Sequence, residues 1–193
     1  MSELPPNAAP GDLELVRAFV NTIDLESGVD AITRPDSLAA WLRERDLLDP
    51  GASLEEADVA RAVEFREALR ELLLATNERV PAPLGALAVV NAAGRRGRLA
   101  VTLQPDGSSR LEPHGRGVDA ALARLLALVH RAHVDGTWLR LKACRNDTCR
   151  WAFYDHSKNR SGAWCSMGVC GSRVKARRYR QRRRDAAEAS HDH

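Results

Sequence analysis

Apolar residues recur every three or four positions in the first part of the chain, which is the spacing of one face of an α-helix. Asp12 can cap a first helix. Its apolar stripe consists of Leu13, Leu15, Val16, Phe19, Val20 and Ile23. A turn near Gly28 separates it from a shorter helix, which Asp36 or Ser37 can cap and the DPG sequence at 49–51 ends. The pattern therefore predicts two amphipathic helices that bury one face each.

The longest helix is predicted to begin at Ser53 and to end near Asn77, ahead of two prolines. The sequence SLEE at its start is typical of a capping box, in which the Glu56 side chain reaches back to the Ser53 amide. Its apolar stripe consists of Val59, Ala62, Val63, Leu69, Leu72 and Leu73. Charged residues at three- and four-residue spacing occupy the other faces, which we therefore expect to be solvated.

The rest of this region combines further helices with short β-segments. Residues 84–94 predict a short helix, and the alanine- and leucine-rich segment 118–133 predicts a longer one. Residues 99–104 and 110–112 flank a PDG turn and predict a β-hairpin. Residues 137–144 alternate as a short strand. The predicted fold class is therefore mainly α with a small β-hairpin (α+β).

No local catalytic signature occurs in this region: GxSxG, HExxH and the phosphate-binding GxxxxGK[ST] are all missing from the sequence. His130 and His133 lie three residues apart on one predicted helix, but no carboxylate lies at a spacing that would complete a metal site, so solvated or partly buried histidines are favoured. We predict no catalytic residue and no enzyme. An enzyme with its pocket in residues 11–135 is kept as an alternative.

The start of the chain lacks the basic and apolar regions of a signal peptide, and no segment approaches the roughly 18 apolar residues of a membrane-spanning helix. We therefore expect a cytoplasmic protein with no membrane partner. In a reducing compartment, clustered cysteines are metal ligands more often than disulfides.

The net charge of +3 hides an uneven distribution along the 193 residues. Residues 1–139 carry 15 arginines against 21 acidic residues, whereas residues 140–184 carry 14 basic residues against Asp147 and Asp155 alone. Such asymmetry indicates an acidic body joined to a basic module that binds a polyanion.

All four cysteines lie in this basic module, as two C-x4-C pairs separated by fifteen residues: Cys144, Cys149, Cys165 and Cys170. Four thiolates on two short turns are the ligand set of a structural zinc ion. Four buried free thiols, or a redox pair, are the alternative. A module of this size has little to bury, so we expect Trp151, Phe153 and Trp164 to pack against the two turns.

A cationic segment follows the last cysteine and predicts a helix from Ser172. Its basic residues are Arg173, Lys175, Arg177, Arg178, Arg180, Arg182, Arg183 and Arg184. No acidic residue interrupts this segment before Asp185, which favours contacts with the phosphates of nucleic acid. RNA, an acidic protein partner, or a merely solvated cationic tail are the alternatives to DNA.

These residues resemble the CGNR-type zinc finger. The resemblance is carried by Cys144, Cys149, Trp151, Phe153, Asp155, Ser157, Asn159, Trp164, Cys165, Ser166, Met167, Cys170, Gly171, Arg173, Lys175, Arg177, Arg178 and Arg180. The tetrad that names the family stands here as CGSR, with Ser172 in place of asparagine; serine can also cap the following helix. The N-terminal part, with its FVNT sequence at 19–22, is similar to the ABATE domain of proposed stress-induced transcription regulators.

The resemblance implies Zn²⁺ held by the four cysteines and duplex DNA contacted by the basic helix. It also implies a helical ABATE-like domain at 11–138 and a treble-clef-like zinc finger at 139–184 that ends in the basic helix. We expect a disordered leader at 1–10 and a disordered tail at 185–193. The predicted function is a zinc-dependent, DNA-binding transcription regulator. Its N-terminal domain is expected to sense a small-molecule effector or to form a homodimer.

Overall fold

The structure is a computed structural model that describes the backbone of residues 7–189 and the side chains of residues 7–183. Within these residues the body of the protein contains five α-helices and two short hairpins: α1 (Leu13–Val20), β1 (Ile23–Asp24), β2 (Val29–Asp30), α2 (Pro35–Arg43), α3 (Glu56–Glu78), α4 (Leu84–Arg96), β3 (Leu99–Leu103), β4 (Ser109–Pro113) and α5 (Gly117–Val134). A 3₁₀ turn (Trp138–Arg140), β5 (Leu141–Ala143), β6 (Ala152–Tyr154), a π-type turn (Met167–Gly171) and α6 (Ser172–Ala189) follow.

The core lies between α1, α3 and α5, as their apolar stripes predict. Phe19 of α1 is fully buried. Its ring centroid lies 6.1 Å from that of Phe65 on α3 and 5.5 Å from that of Trp41 on α2. The buried side chains of Leu69 and Leu125 belong to the same cluster. Because one face of each helix is removed from water here, burial of apolar area supplies the main stabilisation of this part of the fold.

The longest helix begins later than predicted. Helix α3 starts at Glu56, and the capping box is formed by Glu55 and Asp58, whose carboxylate accepts a hydrogen bond from the Glu55 amide at 2.8 Å. Ser53 and Glu56 do not form this box. Acidic side chains at positions 55 and 58 satisfy the same free amides and also interact favourably with the positive end of the helix dipole.

The segment between α1 and α3 differs from the prediction in three respects. The N-cap residue of α2 is Arg34, not Asp36 or Ser37, and the Arg34 amide donates to the Ser37 hydroxyl at 3.1 Å. A two-residue hairpin pairs Ile23 with Asp30 and Asp24 with Val29, where only a turn was expected. Helix α2 begins at Pro35 and ends at Arg43, well before the DPG sequence. Its end is closed by a hydrogen bond of 2.9 Å from the Leu47 amide to the Leu42 carbonyl, a pattern that ends helices.

The other predicted elements of the body are present. Strands β3 and β4 pair antiparallel in the predicted hairpin, with Val101 opposite Leu111. Helix α4 continues two residues beyond Gly94, and α5 matches the predicted segment within one residue at each end. The predicted strand at 137–144 starts as the 3₁₀ turn and becomes extended at Leu141.

The C-terminal module shares its core with the body. Strands β5 and β6 pair antiparallel, and Leu141, Ala143, Ala152 and Tyr154 are buried in the same cluster as the residues of α1, α3 and α5. Strand β6 was not predicted. The hydrophobic core therefore continues across the boundary that the sequence places at 138–139.

Part of each end that the sequence predicts to be disordered lies within the described residues. Ala9 is buried and the Asn7 carbonyl accepts a hydrogen bond from the Tyr154 amide at 3.0 Å, so residues 7–10 pack against β6. Helix α6 continues to Ala189, beyond the predicted end at 184. The remainder of the predicted leader, 1–6, and of the predicted tail, 190–193, lies outside the described residues. None of the described helices combines the length and apolar character needed to span a bilayer.

Candidate metal centre

The first cysteine pair lies on a tight turn after β5, called here the first knuckle (residues 144–149). The Cys144 amide donates to the Trp151 carbonyl at 2.9 Å, and the Cys149 and Arg150 amides both donate to the Asn146 carbonyl, at 2.9 and 3.0 Å. Arg150 has a left-handed backbone with φ of 51°. These bonds reverse the chain, so that the two cysteines of C-x4-C lie on the same side of the turn.

The second cysteine pair, called the second knuckle (residues 165–170), precedes α6. The Ser166 hydroxyl accepts a hydrogen bond from the Val169 amide at 3.3 Å, and the Gly171 amide donates to the Ser166 carbonyl at 3.1 Å. Ser166, and not Ser172, therefore caps this end of the helix; the Ser172 hydroxyl donates to the Met167 carbonyl at 3.3 Å. The widened turn Met167–Gly171 places Cys170 one turn before the first arginines of α6.

The four cysteine sulfurs form a compact cluster, in which every pair lies within 4.8 Å. The Sγ atom of Cys165 lies 3.6 Å from those of both Cys149 and Cys170. Zinc–sulfur bonds of about 2.3 Å in a tetrahedron place sulfurs about 3.8 Å apart, whereas a disulfide needs about 2.05 Å. The cluster therefore has the size of a four-thiolate zinc site and contains no disulfide.

The crowding of the four sulfurs favours a bound cation, which would stabilise several neighbouring thiolates. Cys144 and Cys170 are buried, and Cys149 and Cys165 are half-buried. Hydrogen bonds from the Cys149 and Cys165 thiols lower the pKa of Cys144, whereas the neighbouring Cys144 raises the pKa of both Cys149 and Cys165. The Cys144 thiol therefore loses its proton readily, whereas the Cys149 and Cys165 thiols keep theirs. A bound divalent cation favours the loss of all these protons, because it compensates the negative charge of the neighbouring thiolates.

Aromatic and polar side chains surround the cluster unequally. Phe153 is buried and Trp164 half-buried against the cysteines, as expected. Trp151 is half-buried but does not belong to this cluster, so the predicted packing holds for two of the three aromatic residues. The Asn146 amide group donates to the Cys170 sulfur at 3.6 Å, which favours the thiolate form.

A buried ion pair holds the loop between the two knuckles. The Lys142 ammonium donates to the Asp155 carboxylate at 2.7 Å and to the carbonyls of Arg160 and Gly162 at 2.7 and 3.0 Å. Asp155 also accepts from the amides of Ser157 and Gly162, at 3.0 and 2.8 Å. Burial alone would raise the pKa of Asp155, but these hydrogen bonds outweigh it and hold the pKa at about 2.

Several side chains that precede the finger in the chain bind its backbone near the cysteines, among them Asn7, which donates to the Cys165 carbonyl at 2.6 Å, and Arg17, which donates to the Ala152 carbonyl at 3.4 Å. The Asn77 amide of α3 donates to the Ala143 carbonyl at 2.7 Å and to the Ala163 carbonyl at 3.1 Å. The Arg70 guanidinium donates to the Arg150 carbonyl at 3.0 Å. Asn21 donates to the Ala152 carbonyl at 2.9 Å and accepts from its amide at 2.7 Å.

Sequence reasoning missed these contacts. The charged faces of α3 were expected to be solvated, but Arg66 and Arg70 are buried, as is Asn77. The one signal in the sequence is that Arg70 and Asn77 lie three and four residues from Leu73 of the apolar stripe. Their hydrogen bonds connect α3 directly to the backbone on either side of the cysteines.

The eight cationic residues predicted to contact DNA all belong to α6. Two of them have partners: Arg173 pairs with Glu26 of the loop between β1 and β2, and Arg177 contacts Asn146 and pairs with Asp147 at 3.0 Å. The residues that are exposed without a carboxylate partner among the described side chains are Lys175, Arg178, Arg180, Arg182 and Arg183. The side chain of Arg184 lies outside the described residues.

Helical spacing sorts six of these eight residues onto two opposite faces of α6. Residues three or four apart share a face, so Arg173, Arg177 and Arg180 form one group, called the inner basic face. This face borders a depression of about 340 Å³ beside Asn146 and Thr148 of the first knuckle. Lys175, Arg178 and Arg182 form the other group, called the outer basic face, which points away from the first knuckle and is exposed.

Two family matches cover most of the chain. Residues 13–136 match the ABATE family, described as "Putative stress-induced transcription regulator". Residues 140–183 match the CGNR zinc finger family. No curated protein matches the chain.

These matches confirm the resemblance drawn from the sequence, in the same order along the chain. They are families of regulator and zinc-finger type, and neither is an enzyme family. The finger match and the four clustered sulfurs together identify zinc as the cofactor. Because the first match covers more than half of the chain, the protein belongs to the ABATE family, and it carries a CGNR zinc finger at its C-terminal end.

Proposed function

We propose that the protein is a zinc-dependent, DNA-binding transcription regulator. Cys144, Cys149, Cys165 and Cys170 would hold one Zn²⁺, and the basic residues of α6 would contact DNA. The observation that carries the proposal is the position of the sulfur cluster at the start of α6, where Cys170 immediately precedes the cationic helix. The regulator family of the larger match supports the same role.

Zinc would have a structural role in this proposal. Four cysteine ligands leave no open coordination position for water or substrate. By joining the two knuckles, the ion would fix the direction of α6 relative to β5 and β6. The contact of Arg177 with Asn146 and Asp147 supports the same orientation, so Arg177 would act mainly as a positioning residue.

The outer basic face is the better candidate for phosphate contacts. Lys175, Arg178 and Arg182 are exposed and have no acidic partner in the described part of the chain. On the inner face, the Arg173–Glu26 pair is about half exposed on both sides. Such surface pairs contribute about 0–1 kcal/mol, so a DNA phosphate could replace Glu26 at small cost.

The test is selection of bound sequences from random duplex DNA with zinc-loaded protein, followed by binding measurements at several salt concentrations. We expect affinity to fall steeply with salt. A triple variant of the outer face, Lys175→Gln with Arg178→Gln and Arg182→Gln, should bind every duplex more weakly. The slope of the logarithm of its binding constant against the logarithm of the salt concentration should be smaller in magnitude by about 2–3. Each lost phosphate contact removes about 0.9 from that slope.

The matched control removes the same charge from the body. Arg95, Arg98 and Arg116 are exposed arginines far along the chain from α6, and their replacement by glutamine lowers the net charge equally. This control should retain the salt slope of the unchanged protein. Equal losses in both triple variants, or a salt-independent affinity, would contradict the phosphate-contact proposal. Preferential binding of structured RNA in competition would favour the RNA alternative.

The body is proposed to sense a ligand or to form a homodimer. The exposed apolar side chains of Val101 and Leu103 on β3 and of Val134 at the end of α5 are the surface that dimerisation would cover. Sedimentation at increasing protein concentration measures this directly.

A further inference from the structure

A largely apolar cleft opens between the C-terminal end of α3, helices α4 and α5, and the 3₁₀ turn that precedes β5. Its volume is about 590 Å³, within the roughly 300–1,000 Å³ of small-molecule sites. The apolar walls include Val90 of α4, Val129 of α5 and Trp138 of the turn, all of them buried. Leu139 also borders the cleft and is about half exposed, so the site is open to solvent on this side.

We propose that this cleft binds a small apolar carboxylic acid, such as an aromatic acid, and that the bound acid regulates the finger. The site and its ligand class do not depend on the proposed function; the regulatory step rests on it.

The polar groups of the cleft favour an anion. Arg79, His130 and His133 border it, and no acidic residue does. Arg79 follows the last residue of α3, is exposed, and has no carboxylate partner within the described residues. A guanidinium beside an apolar cleft matches a ligand with one carboxylate on an apolar body, because it can donate two parallel hydrogen bonds to the carboxylate oxygens.

The two histidines add hydrogen-bonding groups to this side of the cleft and no negative charge. The His133 ring stacks on Trp138, with 5.0 Å between the centroids. Burial, and secondarily the neighbouring His130, lowers the pKa of His133, so its imidazole is neutral near pH 7. A neutral imidazole can still donate one N–H bond to a carboxylate. The Thr76 hydroxyl is already used, since it donates to the Leu72 carbonyl at 2.9 Å.

The cleft is adjacent to the residues that position the finger. Trp138 and Leu139 belong to the turn that leads directly into β5 and Cys144. On α3, Asn77 lies between Thr76 and Arg79 of the cleft and donates to the Ala143 and Ala163 carbonyls, next to the two knuckles. A ligand that shifts the end of α3 or the turn therefore acts on the orientation of the finger through two short connections.

The binding test uses full-length zinc-loaded protein without DNA, titrated with 1-naphthylacetate in a calorimeter. The neutral isostere 1-naphthylacetamide is the matched ligand. We expect the acid to bind with a Kd below about 1 mM, as its size predicts. The amide should bind about 10-fold more weakly or worse, since a charge-assisted hydrogen bond is lost. Failure of the acid to bind, or equal affinity for acid and amide, would overturn the proposal.

Two variants locate the site. Arg79→Gln should weaken acid binding about 10-fold and leave amide binding unchanged. Arg98→Gln is its control, because Arg98 is also exposed and shares the left-handed backbone, with φ of 53° against 59°. Ala82→Trp, in the half-buried lining of the cleft, should abolish binding by filling it, whereas Ala88→Trp on the exposed face of α4 should not. Equal effects in a variant and its control would overturn the assignment of the site.

The regulatory step has its own readout. DNA affinity of the unchanged protein should differ at least about 3-fold with and without saturating 1-naphthylacetate, and this difference should vanish in Ala82→Trp. A change in DNA affinity that persists in Ala82→Trp, or no change despite calorimetric binding, would overturn regulation while leaving the ligand site intact. If the protein binds no DNA at all, the proposed function and the regulatory step fail together, and the calorimetric result still decides the site.

Discussion

At the scale of single residues, the structure supplies reasons for Gly171 and Asp155 of the finger motif and for Gly162 of the loop between the knuckles. A side chain at Gly171 would place its Cβ 2.5 Å from the Met167 sulfur and 3.1 Å from Trp164. Gly162 lies against the Asp155 carboxylate, where a Cβ would approach its oxygens to 2.9 Å. Gly162 therefore allows the chain to approach the buried carboxylate closely, whereas a side chain at Gly171 would displace the flexible Met167 side chain and press against Trp164.

Asp155 is the residue whose loss should be most costly. Replacing it by asparagine leaves the Lys142 ammonium, which is 4% exposed, without a compensating charge. Breaking a buried ion pair in this way costs about 3–5 kcal/mol, so we expect Asp155→Asn to lower the free energy of unfolding by about that amount. The measurement is urea unfolding of the zinc-loaded protein at pH 7. Asp147→Asn is the control: Asp147 is exposed, and its change should cost less than about 1 kcal/mol.

The difference in free energy of unfolding between the unchanged protein and Asp155→Asn should depend on pH, because the pKa of Asp155 is lowered. A carboxyl group whose folded pKa of about 2 lies below its unfolded value of about 4 stabilises the fold fully above the higher value. The stabilisation is lost as the pH falls towards the folded pKa. The difference between the unchanged protein and Asp155→Asn should therefore narrow below pH 4. A difference that stays constant down to pH 2.5 would contradict the charged-pair explanation.

At the scale of elements, helix position was predicted better than helix ends and short strands. Helices α1, α3, α4 and α5 and the β3–β4 hairpin all appear where the apolar pattern places them. Strands β1, β2 and β6 have two or three residues each, too few for an alternation to be recognised. The start of α3 was misplaced because SLEE and the acidic pair 55 and 58 both satisfy the rules for helix caps.

In helix α6, contacts with the rest of the chain divide the residues that were predicted to contact DNA. The cationic residues form two faces, and the inner face has carboxylate partners at Arg173 and Arg177. This division depends on Glu26, a residue about 150 positions earlier in the chain, and on the first knuckle. Helical spacing predicts that opposite faces exist, but not which face meets the protein.

The Arg173–Glu26 contact competes with phosphate in the proposed function. Glu26→Gln should free Arg173 and raise DNA affinity about 2–5-fold at low salt, because a surface pair contributes about 0–1 kcal/mol. The measurement is fluorescence anisotropy with a labelled duplex. Glu56→Gln, an equal charge change at an exposed position on α3, should have a smaller effect. Lower affinity in Glu26→Gln would mean that this contact orients α6 for binding instead of competing with DNA.

At the scale of the whole molecule, zinc and the hydrophobic core support different parts of the fold. The sulfur cluster packs with Phe153 and Trp164, while the main core contains the residues of α1, α3 and α5 and both strands of the finger. From the sequence, the finger was expected to have little of its own to bury. The shared core indicates that β5 and β6 keep part of their stabilisation without metal.

Metal removal should therefore unfold the chain only in part. After dialysis against a strong chelator, the near-UV circular dichroism of Trp164 should decrease, while most of the helical far-UV signal should persist. Zinc added back should restore the near-UV signal, which controls for irreversible oxidation of the thiols. An unchanged near-UV signal would contradict zinc binding by these cysteines, and complete loss of helix would contradict the independence of the main core.

The order of parts along the chain was evident from the sequence alone. The amphipathic helices, the zinc ligand set and the cationic helix are each encoded by neighbouring residues, because helical period, C-x4-C turns and charge density are local properties. The finger motif is specific for the same reason.

Tertiary structure alone decided how these parts combine. Asn21, Arg70 and Asn77 became connections to the finger, the outer basic face of α6 became an exposed surface, and Arg79 came to border the cleft beside Trp138. Each of these depends on residues tens of positions apart meeting in the folded chain. The residue types and spacing within one segment can be recognised from the sequence of that segment. Which of its residues become buried, paired or exposed depends on contacts with other segments, and these contacts form only when the core folds.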